Sequence, residues 1–164
     1  MLINTLPPLI KNVTCAVTGH RVLSRGFDRE KLKAELKSII DDGYEYFLIG
    51  MAVGFDSECF AALEELRTAG EKIKIVAVVP CGDQSAKFRQ KDKAAYAEML
   101  KNADITVKET APYFDGCMLA RNDFLVENSS LLFAGWRGVK AGGTYYTVKK
   151  AEKAGVRVKV FNAI

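Results

Sequence analysis

Three glycine-bearing clusters hold most of the chemistry that this chain could perform. Gly19-His20-Arg21 closes one apolar run, Gly50-Met-Ala-Val-Gly54-Phe-Asp56 follows another, and Gly142-Gly143-Thr144 precedes an amphipathic stretch. Glycine lets a backbone come close to a ligand, and the free N–H groups and positive dipole end of a helix attract phosphate. Arg121 and Asn122 fall early in a further amphipathic stretch, where a guanidinium can grip phosphate with two parallel hydrogen bonds. The expected ligand-binding set is therefore Gly19, His20, Arg21, Gly50, Gly54, Asp56, Arg121, Asn122, Gly142, Gly143 and Thr144. Plainer readings exist for each alone: turn glycines, a helix-capping Asp56, a strand-closing His20, a surface Arg121 paired with Asp123 or Glu127. Their convergence on one edge of a sheet favours a binding crevice.

Several standard chemistries lack their residues. There is no G-x-G, so the dinucleotide fingerprint is missing and a conventional NAD dehydrogenase is disfavoured. Gly138 to Thr144 has Walker-like spacing, but Thr144 directly follows the last glycine where a lysine should reach the outer phosphates. His20 is the only histidine, and Cys15, Cys59, Cys81 and Cys117 are far apart with no CxxC pair. No metal site, cofactor or disulfide framework is expected.

The bulk composition, 49% hydrophobic and 27% charged, suits one globular domain of 164 residues. Met1 to Lys11 has Pro7 and Pro8 in a short apolar run, without a basic start or cleavage site, and is read as an N-terminal extension (1–11) before a single domain (12–164). No apolar run is long enough to span a bilayer, so a cytoplasmic protein without membrane contact is expected. Positive charge gathers at the end of the chain: from Arg137 to Ile164 there are seven Lys/Arg against the one acid Glu152. That segment favours an anionic partner or simply gives a helix its solvated face.

The elements that must position these residues alternate. Apolar runs at 13–17, 46–49, 73–79, 105–107, 131–134 and 156–161 are separated by stretches of helical spacing near 28–41, after Asp56, within 91–101, at 117–127 and at 144–154. Such alternation predicts βαβ units in a three-layer, Rossmann-like α/β fold: an open parallel sheet of about six strands, expected in the order 3-2-1-4-5-6. Ligands of such sheets bind outside the carboxyl ends of the strands, near the point where strand order reverses.

The motifs, in their order, resemble those of a known family. Thr18-Gly19-His20-Arg21, Gly50 to Asp56, Pro80-Cys-Gly-Asp-Gln84, Tyr96, Ala103-Asp104, Arg121-Asn122 and Gly142-Gly143-Thr144 are similar to YpsA-like proteins of the SLOG superfamily, which also holds the LOG enzymes and DprA. The resemblance spans nearly all of the chain after Lys11 and implies a Rossmann-like sheet that binds nucleotides or their derivatives. LOG enzymes cleave the N-glycosidic bond of a nucleoside 5′-monophosphate with an arginine in M-x-x-R-K and a glutamate after P-G-G-x-G-T. Met118-x-x-Arg121 matches the first motif with Asn122 for the lysine, but Tyr145-Tyr146-Thr147 carries no carboxylate for the second.

The leading expectation is a module that binds or senses a nucleotide-derived, phosphate-bearing small molecule, with Tyr145 or Phe55 stacking on the base or closing the crevice. A LOG-like N-glycosidase is the alternative, with Asp56, Asp123 or Glu127 replacing the missing glutamate. Single-stranded DNA binding of the DprA type comes third, supported only by Tyr145-Tyr146 beside Lys149-Lys150. The sequence is also compatible with a homo-oligomer.

Overall fold

The structure, a computed structural model, describes residues 8–164. Residues 1–7 of the expected N-terminal extension lie outside the described residues; the rest of it opens a 3-10 helix, Pro8–Val13. Strands β1 (Thr14–Gly19), β2 (Tyr46–Ile49), β3 (Lys74–Val79), β4 (Ile105–Lys108), β5 (Leu131–Gly135) and β6 (Arg157–Phe161) alternate with helices α1 (Arg29–Asp41), α2 (Phe55–Thr68), α3 (Gln90–Asn102), α4 (Cys117–Glu127) and α5 (Gly142–Lys153). Asp28 caps α1, its Oδ1 accepting the Lys31 N–H at 3.0 Å. Asp56 is not a cap: it lies in the first turn of α2, behind Gly54.

All six strands are parallel, and the central ones, β1, β2, β3 and β5, alternate their side chains between two cores. Val17, Phe47, Ile49, Ile75 and Phe133 face α1, α2 and α3; Ala16, Leu48, Val76, Val78 and Leu132 face α4 and α5. The three-layer Rossmann-like architecture is thus as the sequence implies.

One strand sits elsewhere than expected. The order is β4-β3-β2-β1-β5-β6, so β4 lies outside β3 instead of beside β1, and β5 takes the place next to β1. The cause is visible in the two strands. In β4 only Val107 is buried while Thr106 and Lys108 are exposed, which suits an edge. In β5 every residue is buried, as a strand covered on both faces requires. Asp104 pins the edge strand, its Oδ2 accepting the Ile75 N–H at 2.8 Å and Arg67 Nη1 at 2.7 Å. Strand order therefore reverses between β1 and β5, where Gly19 pairs with Gly135.

Candidate functional site

A cavity of about 420 Å³ opens at that reversal point, within the size range of small-molecule sites. Its walls are the end of β1 and its loop, the β2–α2 turn, one side of α4 and the start of α5. Eight of the eleven expected residues line it: Gly19, His20, Arg21, Asp56, Arg121, Asn122, Gly143 and Thr144. Gly50, Gly54 and Gly142 do not.

Close packing accounts for two of those three. A Cβ on Gly50 would lie 2.6 Å from Arg121 Nη1, so the missing side chain is the seat of the guanidinium. Gly54 has φ +85° and would meet the Arg21 carbonyl oxygen at 2.3 Å. Gly19 serves both roles, lining the cavity and, with Gly135, making room for the Phe55 ring, which a Cβ would meet at 2.4 and 2.3 Å.

Arg121 is buried and held by its edge: Nη1 donates to the Gly50 carbonyl and Nε to Asn122 Oδ1 at 2.7 Å. The Gly50 carbonyl also accepts Gln84 Nε2 at 3.0 Å, and Gln84 Oε1 accepts the Tyr96 hydroxyl at 2.9 Å. This chain of bonds fixes the guanidinium from behind, and burial pulls its pKa below the ordinary value. Met51, next to Gly50, is fully buried with φ +65°, a conformation that a bulky residue adopts only under constraint.

Asp56 faces the same space, 5% exposed. Its Oδ2 accepts the Ala52 N–H at 3.1 Å, whereas Oδ1 is buried with no hydrogen-bond partner. Burial raises its pKa to about 6, against the downward pull of Arg121, the Ala52 N–H and Arg21. His20 Nε2 accepts the Arg137 backbone N–H at 3.1 Å, which requires that nitrogen unprotonated; burial and then the Arg137 charge lower the ring's pKa accordingly.

At the start of α5, Gly142 and Gly143 are exposed, and no side chain caps the helix. A Cβ on Gly143 would find only Asn122 Nδ2, at 3.7 Å. Because Asn122 Oδ1 is taken by Arg121, Nδ2 is left as a donor beside the helix start. Thr147 turns its hydroxyl back to the Gly143 carbonyl at 2.8 Å.

The other carboxylates considered do not reach the cavity. Asp123 accepts the Tyr146 hydroxyl at 3.0 Å and pairs with Lys150 at 2.8 Å, and among the described residues Asp56 is the one carboxylate lining the site. The stacking roles expected for Phe55 and Tyr145 are not found. Phe55 is fully buried against Phe133 and Phe161, and Tyr145 stacks on Trp136, 6.0 Å between centroids, outside the cavity lining. Within the basic segment Lys149 pairs with Glu152 and Lys150 with Asp123. Among the described residues no group of His, Cys, Asp and Glu could hold a metal ion, and no helix is long and apolar enough to cross a membrane.

Met51 and Gln84 are the residues whose importance sequence reasoning missed. Gln84 stood only within a family motif, and nothing in a sequence marks a methionine for positive φ.

Comparison with known proteins bears on the family and the fold. The chain is 25% identical over 150 residues to a UPF0398 protein of Bacillus velezensis, covering 84% of this chain and 82% of that one. It is 27% identical to a UPF0398 protein of Bacillus pumilus (84% and 80%) and 23% identical to the UPF0398 protein YpsA of Bacillus subtilis (84% and 83%). Among solved structures, DNA processing protein A of Streptococcus pneumoniae superposes with a TM-score of 0.70 at 18% identity. That of Helicobacter pylori, described for its single-stranded DNA binding mode, superposes with 0.65 at 17%. Both matches cover 93% of this chain but only 51% and 66% of those longer chains, and they establish the fold alone. The model of the YspA SLOG family (YpsA) matches residues 26–161, and the chain belongs to that family.

Proposed function

We propose that the crevice binds a nucleotide-derived small molecule by its phosphate. The observation that carries this is a convergence of donors: the Arg121 guanidinium, Asn122 Nδ2 and the uncapped N–H groups at the start of α5 share one cavity with Arg21. Titration of adenosine monophosphate by calorimetry tests it. Arg121→Ala should weaken binding by roughly 1.5–3 kcal/mol, the worth of a charge-assisted hydrogen bond. Unchanged affinity removes Arg121 from the site.

A second reading is single-stranded nucleic acid, the ligand in the description of the Helicobacter pylori protein. One observation favours it. A groove of about 1560 Å³ between α2 and α3 adjoins the cavity, sharing Arg21, Ala52 and Met118 with it. Oligonucleotide affinity that falls steeply with salt would support it, because phosphate contacts release counterions.

A further inference from the structure

The chain's one histidine lines the cavity with its ring fixed in a single tautomer. His20 Nε2 accepts the Arg137 backbone N–H at 3.1 Å. A neutral imidazole holds one proton, so with Nε2 accepting, that proton sits on Nδ1. Turning the ring over would set a carbon against the Arg137 N–H. The backbone is held as well: the His20 N–H donates to Gly135 O at 3.1 Å, and His20 O accepts the Phe55 N–H at 3.0 Å. Burial and then the Arg137 charge oppose a second proton on the ring. Among the described residues no acceptor meets Nδ1, and Nδ1 is not one of the buried side-chain atoms left without a partner. It is therefore reachable from outside the protein, and the space that His20 lines is the cavity shared by Arg121, Asn122 and Gly143.

We infer, resting on the phosphate reading above, that His20 is a ligand contact of fixed tautomer: its Nδ1–H donates to an oxygen of the bound anion while Nε2 stays on the Arg137 N–H. Such a donor adds direction without charge. A cationic ring is shut out, because a proton on Nε2 would face the Arg137 N–H donor to donor. Among the described residues lining the cavity, positive charge then belongs to Arg21 and Arg121 alone. Donation from Nδ1 also makes Nε2 the better acceptor, since hydrogen bonds in a chain polarise one another. Binding thus tightens the hold of His20 on Arg137, and Arg137 lies in the loop that ends at the start of α5. His20 is in this way the link through which an occupied cavity steadies the loop beside it.

Labelling histidine with 15N gives one imidazole to read, because the chain has no other. Two-bond 1H–15N spectra at pH 7.5 should show the Nδ1–H tautomer in the free protein. On titration with adenosine monophosphate the Nδ1 signals should shift, the tautomer should stay, and exchange of the Arg137 amide proton should slow. A ring protonated on Nε2, before or after titration, overturns the inference. Ring signals that stay still while the Gly142 and Gly143 amides move overturn it too, and the phosphate site then stands without His20. If none of these signals moves, both readings fall. Two variants read the same point by affinity. In His20→Asn the amide nitrogen takes the place of Nδ1 and the partner of Arg137 is lost; in His20→Gln the amide oxygen takes the place of Nε2 and the donor is lost. A donor role makes adenosine monophosphate bind about tenfold more weakly to His20→Gln than to His20→Asn, as for loss of a hydrogen bond to a charged group. A role confined to holding the loop reverses that order, and either the reversed order or equal affinities refute the donor. Should either variant fail to fold, the spectra of the wild type decide alone.

Discussion

Replacing Asp56 by Asn should stabilise the protein at neutral pH, and the gain should disappear in acid. The carboxyl is buried and its pKa is raised from 3.8 to about 6, so the folded state holds its proton more tightly than the unfolded chain does. A group raised in this way favours folding fully below pH 4, and the benefit is lost as pH climbs through the folded value near 6. Each pKa unit of difference is worth about 1.4 kcal/mol, which makes the ionised, half-satisfied carboxylate cost about 3 kcal/mol above pH 7. Against a total stability of about 5–15 kcal/mol this is large. Asn in the same space carries no charge to desolvate and escapes the penalty. Chemical unfolding of both proteins from pH 4 to pH 8 measures it: the curves should converge near pH 4 and separate steadily toward pH 7, with Asp56→Asn the more stable. Curves that stay parallel, or a variant less stable at pH 8, would refute the view that burial outweighs the attraction of Arg121.

Gly50→Ala should unseat Arg121, because the new methyl would stand 2.6 Å from Nη1 and 2.8 Å from Cζ. Overpacking of this kind costs about 1–3 kcal/mol, and phosphate affinity should fall with it; denaturant melts and calorimetry read the two effects together. Hydrolysis of adenosine monophosphate should be negligible in a base-release assay. Asp56 is the one carboxylate lining the cavity among the described residues, whereas glycoside cleavage ordinarily uses two.

Legibility in the sequence followed how local each cause was. The βαβ rhythm and the helix ends at Asp28, Cys117 and Glu127 were readable because caps and periodicity act within a few residues. The place of β4 was not read, although the exposed Thr106 and Lys108 hold the cue. Glycines were legible as close-approach positions but not for what approaches: at Gly50 it is Arg121, and at Gly19 it is Phe55. Asp56 Oδ1 lies beyond sequence reasoning, since an unmet hydrogen bond exists only once its neighbours are placed.

The wedge of Phe55 between Gly19 and Gly135 bears on how fast a ligand can be captured. The ring locks the first turn of α2 onto β1 and β5, and its backbone N–H donates to His20 O at 3.0 Å while the His20 N–H donates to Gly135 O at 3.1 Å. The loop after β1 and the β2–α2 turn, which line the cavity, are thereby stitched to each other and to the end of β5 before anything binds. Such a mouth has little ordering entropy left to lose, so association should be a single diffusional step without a slow closing phase. In stopped-flow traces the observed rate would then rise linearly with ligand concentration and show no plateau.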